Sequence, residues 1–235
     1  MIDLRTLIVS CGLLLILIAC GADQGQNAPE MVILNTNECT DSLLKVPVRV
    51  HLLSSTIEQL NSTSTEAQVR SHFAETNRIW NQACITFEIE QIAAAPLSPM
   101  QEENFRTQLS NNPPLEARRN IMRDAMPVDQ LLTPGWNVMI FPQFAAPASG
   151  IYLTDIRSVL FAERLPPMAP SGDNPSVILA HELGHSLGLR HFMESTKDQN
   201  LMNQEIMQFQ NGIRLTSDQI MTARQQVMTG DTFIE

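Results

Sequence analysis

Between positions 181 and 191 the chain reads His181-Glu182-Leu183-Gly184-His185-Ser186-Leu187-Gly188-Leu189-Arg190-His191, which holds three of its five histidines. On a helix, residues four apart lie one turn apart on the same face. His181 and His185 can therefore offer imidazole nitrogens to one metal ion. Glu182, next in sequence, can hold a water against that ion without ligating it. Gly188 tolerates positive φ, and a turn there can bring His191 round as a third ligand from another direction. Three neutral imidazoles and a water make the open tetrahedral site of catalytic zinc, an ion that acidifies water and polarises carbonyls. In that chemistry Glu182 takes the proton of the attacking water and passes it to a leaving amine. Chance produces the bare His-Glu-x-x-His in somewhat under ~1% of chains this long, and the added glycine and third histidine lower that to roughly 10⁻⁵. The spacing is therefore too rare to read as a helix with solvated histidines.

Such a site needs a buried helix, and the flanking residues signal one. Asn174 suits an N-cap and Pro175 the first helical position. Val177, Ile178 and Leu179 lead into the motif, and Gly188 suits a left-handed stop. Upstream, Val46, Val48, Val50 and Leu52 alternate with Pro47, Arg49 and His51, a period-2 strand pattern. Ser54 to Ser64 is turn-like. Thr65-Glu66-Ala67-Gln68 fits a capping box, opening a helix with Val69, Phe73, Thr76, Trp80 and Ala83 on one face. Ile85 to Ile92 reads as a second strand, with Ile85, Phe87 and Ile89 on one side. Prolines interrupt residues 93–134, where a short helix around 115–125 is expected. Trp136 to Phe141 reads as a buried strand. Another strand is expected at Gly150 to Thr154, running on toward Leu160. Arg164 to Asp173 is a Pro-rich loop. Thr216-Ser217-Asp218-Gln219 is a second capping box, starting a helix with Ile220, Ala223, Val227 and Met228 on its core face. This order predicts an α/β (α+β) domain with a mixed, twisted sheet.

The 235 residues suffice for one domain, and 43% of them are apolar, which allows a real core. The formal net charge of −10 argues against a nucleic-acid partner, since phosphate binding needs a concentrated basic patch. Leu7 to Ala19 is almost wholly apolar, too short for a comfortable membrane span and the length of a signal-peptide core. The Leu17-Ile18-Ala19-Cys20-Gly21 end of that run resembles the lipobox of bacterial lipoproteins. That resemblance implies cleavage before Cys20, lipidation of Cys20 and anchoring at the cell envelope. An ordinary secretory signal is the rival, and a transmembrane anchor the third reading. Residues 21–30 read as a flexible tether. The expected division is 1–20 signal, 21–44 tether and N-terminal segment, and 45–235 catalytic domain. Of four cysteines only Cys39 and Cys84 lie in the folded part. Export favours a disulfide between them, and the rival is a Cys39 thiolate lying over the zinc.

The eleven residues match the extended His-Glu-x-x-His-x-x-Gly-x-x-His signature, and in this the chain resembles the metzincin zinc metalloproteases. Asn200-Leu201-Met202-Asn203 looks like the family's Met-turn, which implies that Met202 lies beneath the metal. The stretch from Val46 to Ile92, with Arg78-Ile79-Trp80-Asn81-Gln82, resembles the N-terminal half of small bacterial metzincins. The resemblance implies a zinc endopeptidase acting on protein or peptide substrates, with an edge strand at 150–154 lining the cleft. Phe192, after the third histidine, departs from the Glu, Asp, Ser or Pro of the best-known subfamilies, so none is assigned. Gln204 stands where some members carry a ligating Tyr. The segment before residue 45 is too short for a large inhibitory pro-domain.

His51 and His72 lack ligand spacing and are expected on a strand surface and a helix surface. Tyr152 reads as a half-buried tyrosine, with a role at the oxyanion as its rival. The acidic balance could supply calcium ligands although no EF-hand-like loop exists, so calcium is left open. The class rival to the peptidase is a surface-anchored binding protein that keeps the fold without turnover, against which Glu182 speaks.

Overall fold

The computed structural model describes residues 31–32, 39, 42–110, 115–142, 149–164, 174–193, 199–203 and 213–234. Cys20, its apolar run and Gln204 lie outside them. The elements are β1 (Met31–Val32), β2 (Leu44–Ser54), α1 (Glu66–Trp80), β3 (Ile85–Pro96), α2 (Pro99–Ser110), α3 (Leu115–Asp124), β4 (Trp136–Phe141), β5 (Gly150–Leu153), β6 (Ser158–Ala162), α4 (Pro175–Ser186), β7 (Leu215–Thr216) and α5 (Ser217–Met228). Five strands form one sheet in the order β3-β2-β4-β6-β5. The first four are mutually parallel, and β5 runs antiparallel at the edge. The fold class is therefore α/β with a mixed sheet. Gly150 to Leu160 is a hairpin of two strands rather than one, turning through Arg157 in the left-handed region (φ 52°).

Both faces of the sheet are covered, as parallel strands require. Val46, Val48, Val50, Trp136, Val138, Val159 and Phe161 pack against α1, α4 and α5. On the other face Leu53, Met139, Phe141 and Leu160 meet Phe105 of α2 and Ile121 of α3. This second layer comes from the proline-interrupted stretch, in which α2 was not foreseen. It corrects the reading of His51. That residue alternates onto the same face as Leu53 and is fully buried, not at a strand surface. Burial lowers its pKa, so the imidazole is neutral inside the fold. His72 is half-buried, with Nδ1 3.0 Å from the Ser176 hydroxyl at the start of α4.

Both capping boxes form. The Thr65 N–H donates to Gln68 Oε1 at 2.8 Å, and the Thr216 N–H to Gln219 Oε1 at 2.9 Å. Ile220, Ala223 and Val227 of α5 are buried. Met228 is not on that core face: it lies about 100° round from Val227, and is 68% exposed. The chain from Ser62 to Ser64 wraps the Glu163 carboxylate, which accepts from the Thr63 and Ser64 N–H groups and from all three hydroxyls. That nest fixes the loop before α1 to the end of β6. Cys39 and Cys84 are disulfide-bonded, with Cα atoms 5.2 Å apart. Nearby, β1 pairs antiparallel with β7. Among the described residues no helix is long and apolar enough to cross a membrane.

Candidate metal centre

The helix α4 carries two of the three motif histidines, and its ends are set locally. Asn174 Oδ1 accepts from the Ser176 N–H at 2.9 Å, with Pro175 in the first turn. At the other end Gly188 takes φ +81°. The Leu189 N–H reaches back to the Gly184 carbonyl at 3.0 Å and the Gly188 N–H to the His185 carbonyl at 2.9 Å, the paired bonds of a Schellman stop. The helix is buried on almost every side. Two tryptophans hold it: Trp80 Nε1 donates to the Ala180 carbonyl at 3.1 Å, and Trp136 Nε1 to the Ser186 hydroxyl at 3.1 Å.

Backbone carbonyls orient the imidazoles. His181 Nδ1 is 2.7 Å from the Leu201 carbonyl oxygen, and His185 Nδ1 2.7 Å from that of Leu189. A carbonyl only accepts, so both rings carry their proton on Nδ1 and turn the Nε2 lone pair inward. His191 joins them from beyond the Gly188 turn. The candidate ligand atoms of the three residues lie within 4.8 Å of one another. His185 Nε2 and His191 Nε2 are 3.3 Å apart, close to the ~3.3 Å between two ligands of a tetrahedral zinc with bonds of ~2.0–2.1 Å. Burial lowers the pKa of all three, and that of His181 falls to about 3. Repulsion from the neighbouring His185 adds to the drop at His181. Neutral imidazoles are the form that binds metal, so the donor set fits zinc in chemistry, tautomer and spacing.

Glu182 packs under the edge strand. A Cβ on Gly150 would come within 2.5 Å of Glu182 Cγ and 3.0 Å of Oε1, so only glycine lets β5 pass this close. Burial raises the Glu182 pKa to about 8, partly offset by the backbone N–H of Tyr152. A bound cation beside it favours the carboxylate. The Tyr152 phenol is half-buried and donates to the Phe233 carbonyl, so it is not an open donor facing the cleft.

The Asn200–Asn203 turn lies beneath the helix. Asn200 Oδ1 accepts from the Met202 N–H at 2.8 Å, and the Phe192 N–H donates to the Met202 carbonyl at 2.8 Å. Met202 is fully buried against Gly184, where a Cβ would lie 2.5 Å from its sulfur. Asn200 Nδ2 also donates to Gln219 Oε1 at 2.8 Å, the oxygen that caps α5. The roles of Gly150, Gly184, Asn200 and Gln219 were missed in the sequence. Gly184 and the capping box were visible there, but their partners lie far along the chain. Cys39, held by Cys84, offers no thiolate to the histidines.

The family model described as matrixin matches residues 72–226 of the chain. No curated protein matches it in sequence. Among solved structures, the archaemetzincin of Methanopyrus kandleri is similar at 13% identity over 80% of this chain and 98% of that one, with a TM-score of 0.49. A chaperone–substrate complex is similar at 12% identity over 80% and 35%, with a TM-score of 0.43.

Gly184→Ala tests the contact under the helix. Helix propensity alone favours alanine by up to ~1 kcal/mol, whereas overpacking a filled core costs ~1–3 kcal/mol. Since a Cβ here would lie 2.5 Å from the buried Met202 sulfur, overpacking wins. Urea unfolding should show a net loss of about 1–2 kcal/mol, with weaker metal retention. A variant more stable than the parent would remove the contact from the account.

Proposed function

Because the chain belongs to the matrixin family, we propose that it is a zinc-dependent endopeptidase of extracytoplasmic proteins, with Glu182 as general base. The reading is carried by one juxtaposition: three converging imidazoles, and, next in sequence to His181, the buried Glu182 carboxylate packed under Gly150 of the edge strand. His181, His185 and His191 would hold the zinc. When bound, the ion acidifies water and polarises the scissile carbonyl. Glu182 takes a proton from the attacking water on its carboxylate oxygen and releases it to the departing amide nitrogen. The edge of β5 that no described strand covers offers main-chain groups to which an extended peptide adds as an antiparallel strand. Gly150 keeps that strand against Glu182, so a peptide on it lies beside the base. The rival, a binding protein of the same fold without turnover, gives no reason for burying a carboxylate at this point.

The Leu17–Cys20 pattern supports an exported lipoprotein anchored at the bacterial envelope through Cys20. One acyl chain binds membranes only marginally, so stable anchoring needs the several chains of a bacterial lipoprotein. Cys20→Ser should move the protein from the membrane to the soluble fraction on cell fractionation. Equal membrane association of variant and parent would rule out the anchor.

Glu182→Gln separates base from ligand. The amide keeps the shape of the carboxylate and removes no imidazole, so zinc should stay at one ion per chain by elemental analysis. It cannot accept the proton, so cleavage of casein should fall by about 10²–10⁴-fold. His185→Ala should instead lose the metal, and chelation of the parent should abolish cleavage. A peptide trapped on the Glu182→Gln protein should make main-chain hydrogen bonds to residues 150–153. Loss of zinc from the Glu182→Gln protein, or unimpaired cleavage by it, would overturn the role of Glu182.

A further inference from the structure

The segment after α5 fastens three parts of the site together. The Phe233 N–H donates to the Ser186 carbonyl at 2.8 Å, in the last turn of α4. The Phe233 ring lies over Gly188, where a Cβ would meet it at 3.2 Å. The Phe233 carbonyl accepts from the Tyr152 phenol. Two residues earlier, Asp231 ion-pairs with Arg157 in the β5–β6 turn and accepts from the Gly135 N–H at 3.3 Å. Tyr152 projects from β5 on the same side as Gly150, the face that covers Glu182. The strand is only four residues long and bonded to β6 alone within its sheet. Its spacing from α4 therefore depends on what ties it to that helix, and Phe233 reaches both.

We propose that Tyr152 and the segment Asp231–Phe233 form a clamp that sets the edge strand β5 over Glu182, making Tyr152 a positioning residue for the peptidase reaction. The inference rests on the peptidase reading. A peptide added to β5 is carried by that strand, so any shift of β5 from α4 moves the scissile bond away from Glu182. The main-chain groups that bind the peptide stay on the strand and keep their ladder with β6. Loosening the clamp should therefore impair turnover more than binding.

The test uses the full-length zinc-loaded protein and dye-labelled casein. For Tyr152→Phe, kcat counted per bound zinc should fall about tenfold, since small misplacements of reacting groups are costly, while KM stays within about twofold. Zinc content should equal the parent's, and Tm should drop by about 2–4 °C at most. In the zinc-free protein the β5 amides should exchange hydrogen faster than in the parent. Asp231→Asn should act the same way, and the double variant should lose less than the product of the two single losses, because both release one clamp. Unchanged kcat per zinc in Tyr152→Phe overturns the proposal. So does a loss of activity that only tracks lost zinc and lowered Tm, which marks a merely structural tyrosine. An inactive parent with zinc bound defeats the peptidase reading itself and the clamp's role with it.

Discussion

The Leu201 carbonyl, 2.7 Å from His181 Nδ1, joins the buried helix α4 to the turn beneath it. Much of the structure serves to keep those two pieces in register. The Leu201 N–H donates to the Arg214 carbonyl at 2.7 Å, which ties the turn to the segment entering β7. Asn200 and Gln219 exchange side-chain hydrogen bonds, which tie it to the first turn of α5. Met202 fills the space that Gly184 leaves open. Each contact is worth little alone, about 0.5–1.5 kcal/mol for a net hydrogen bond. Together they leave the His181 ring one orientation, with Nε2 facing His185 and His191.

That arrangement runs against the ordinary preferences of its side chains. Glutamate is almost never fully buried unless paired, yet Glu182 and His181 are both buried in α4, each with a backbone hydrogen-bond partner. Their pKa values move in the directions that desolvation dictates, down for the imidazole and up for the carboxyl. The cost is offset by the apolar packing of Leu179, Leu183 and Leu187 against both tryptophans and the sheet. A cation among the imidazoles would take up the inward lone pairs of His181 and His185 together with His191.

What the sequence disclosed follows the range of the interactions. The capping boxes at Thr65 and Thr216, the Asn174-Pro175 start and the Gly188 stop are completed within a few residues, and each was legible. So was the histidine spacing, because one helical turn and one glycine bend determine it. The packing of Gly150 over Glu182 was not legible, nor was the Tyr152–Phe233 bond, 81 residues apart. No periodicity encodes such pairs. His51 was misread because alternation in β2 says which residues share a face, not whether a second layer covers it. That layer is folded from 93–134, where prolines break up the pattern. Phe192 left the subfamily open because a single position after the third histidine cannot stand for the wider match over 72–226.

The central claim is that these three imidazoles, two of them already oriented by backbone carbonyls, take up a single zinc ion. X-ray absorption at the zinc edge of the metal-loaded protein tests it most directly. The account predicts three imidazole nitrogens and one oxygen at about 2.0–2.1 Å, with no sulfur. A sulfur scatterer, or fewer than three imidazoles around the ion, would contradict it.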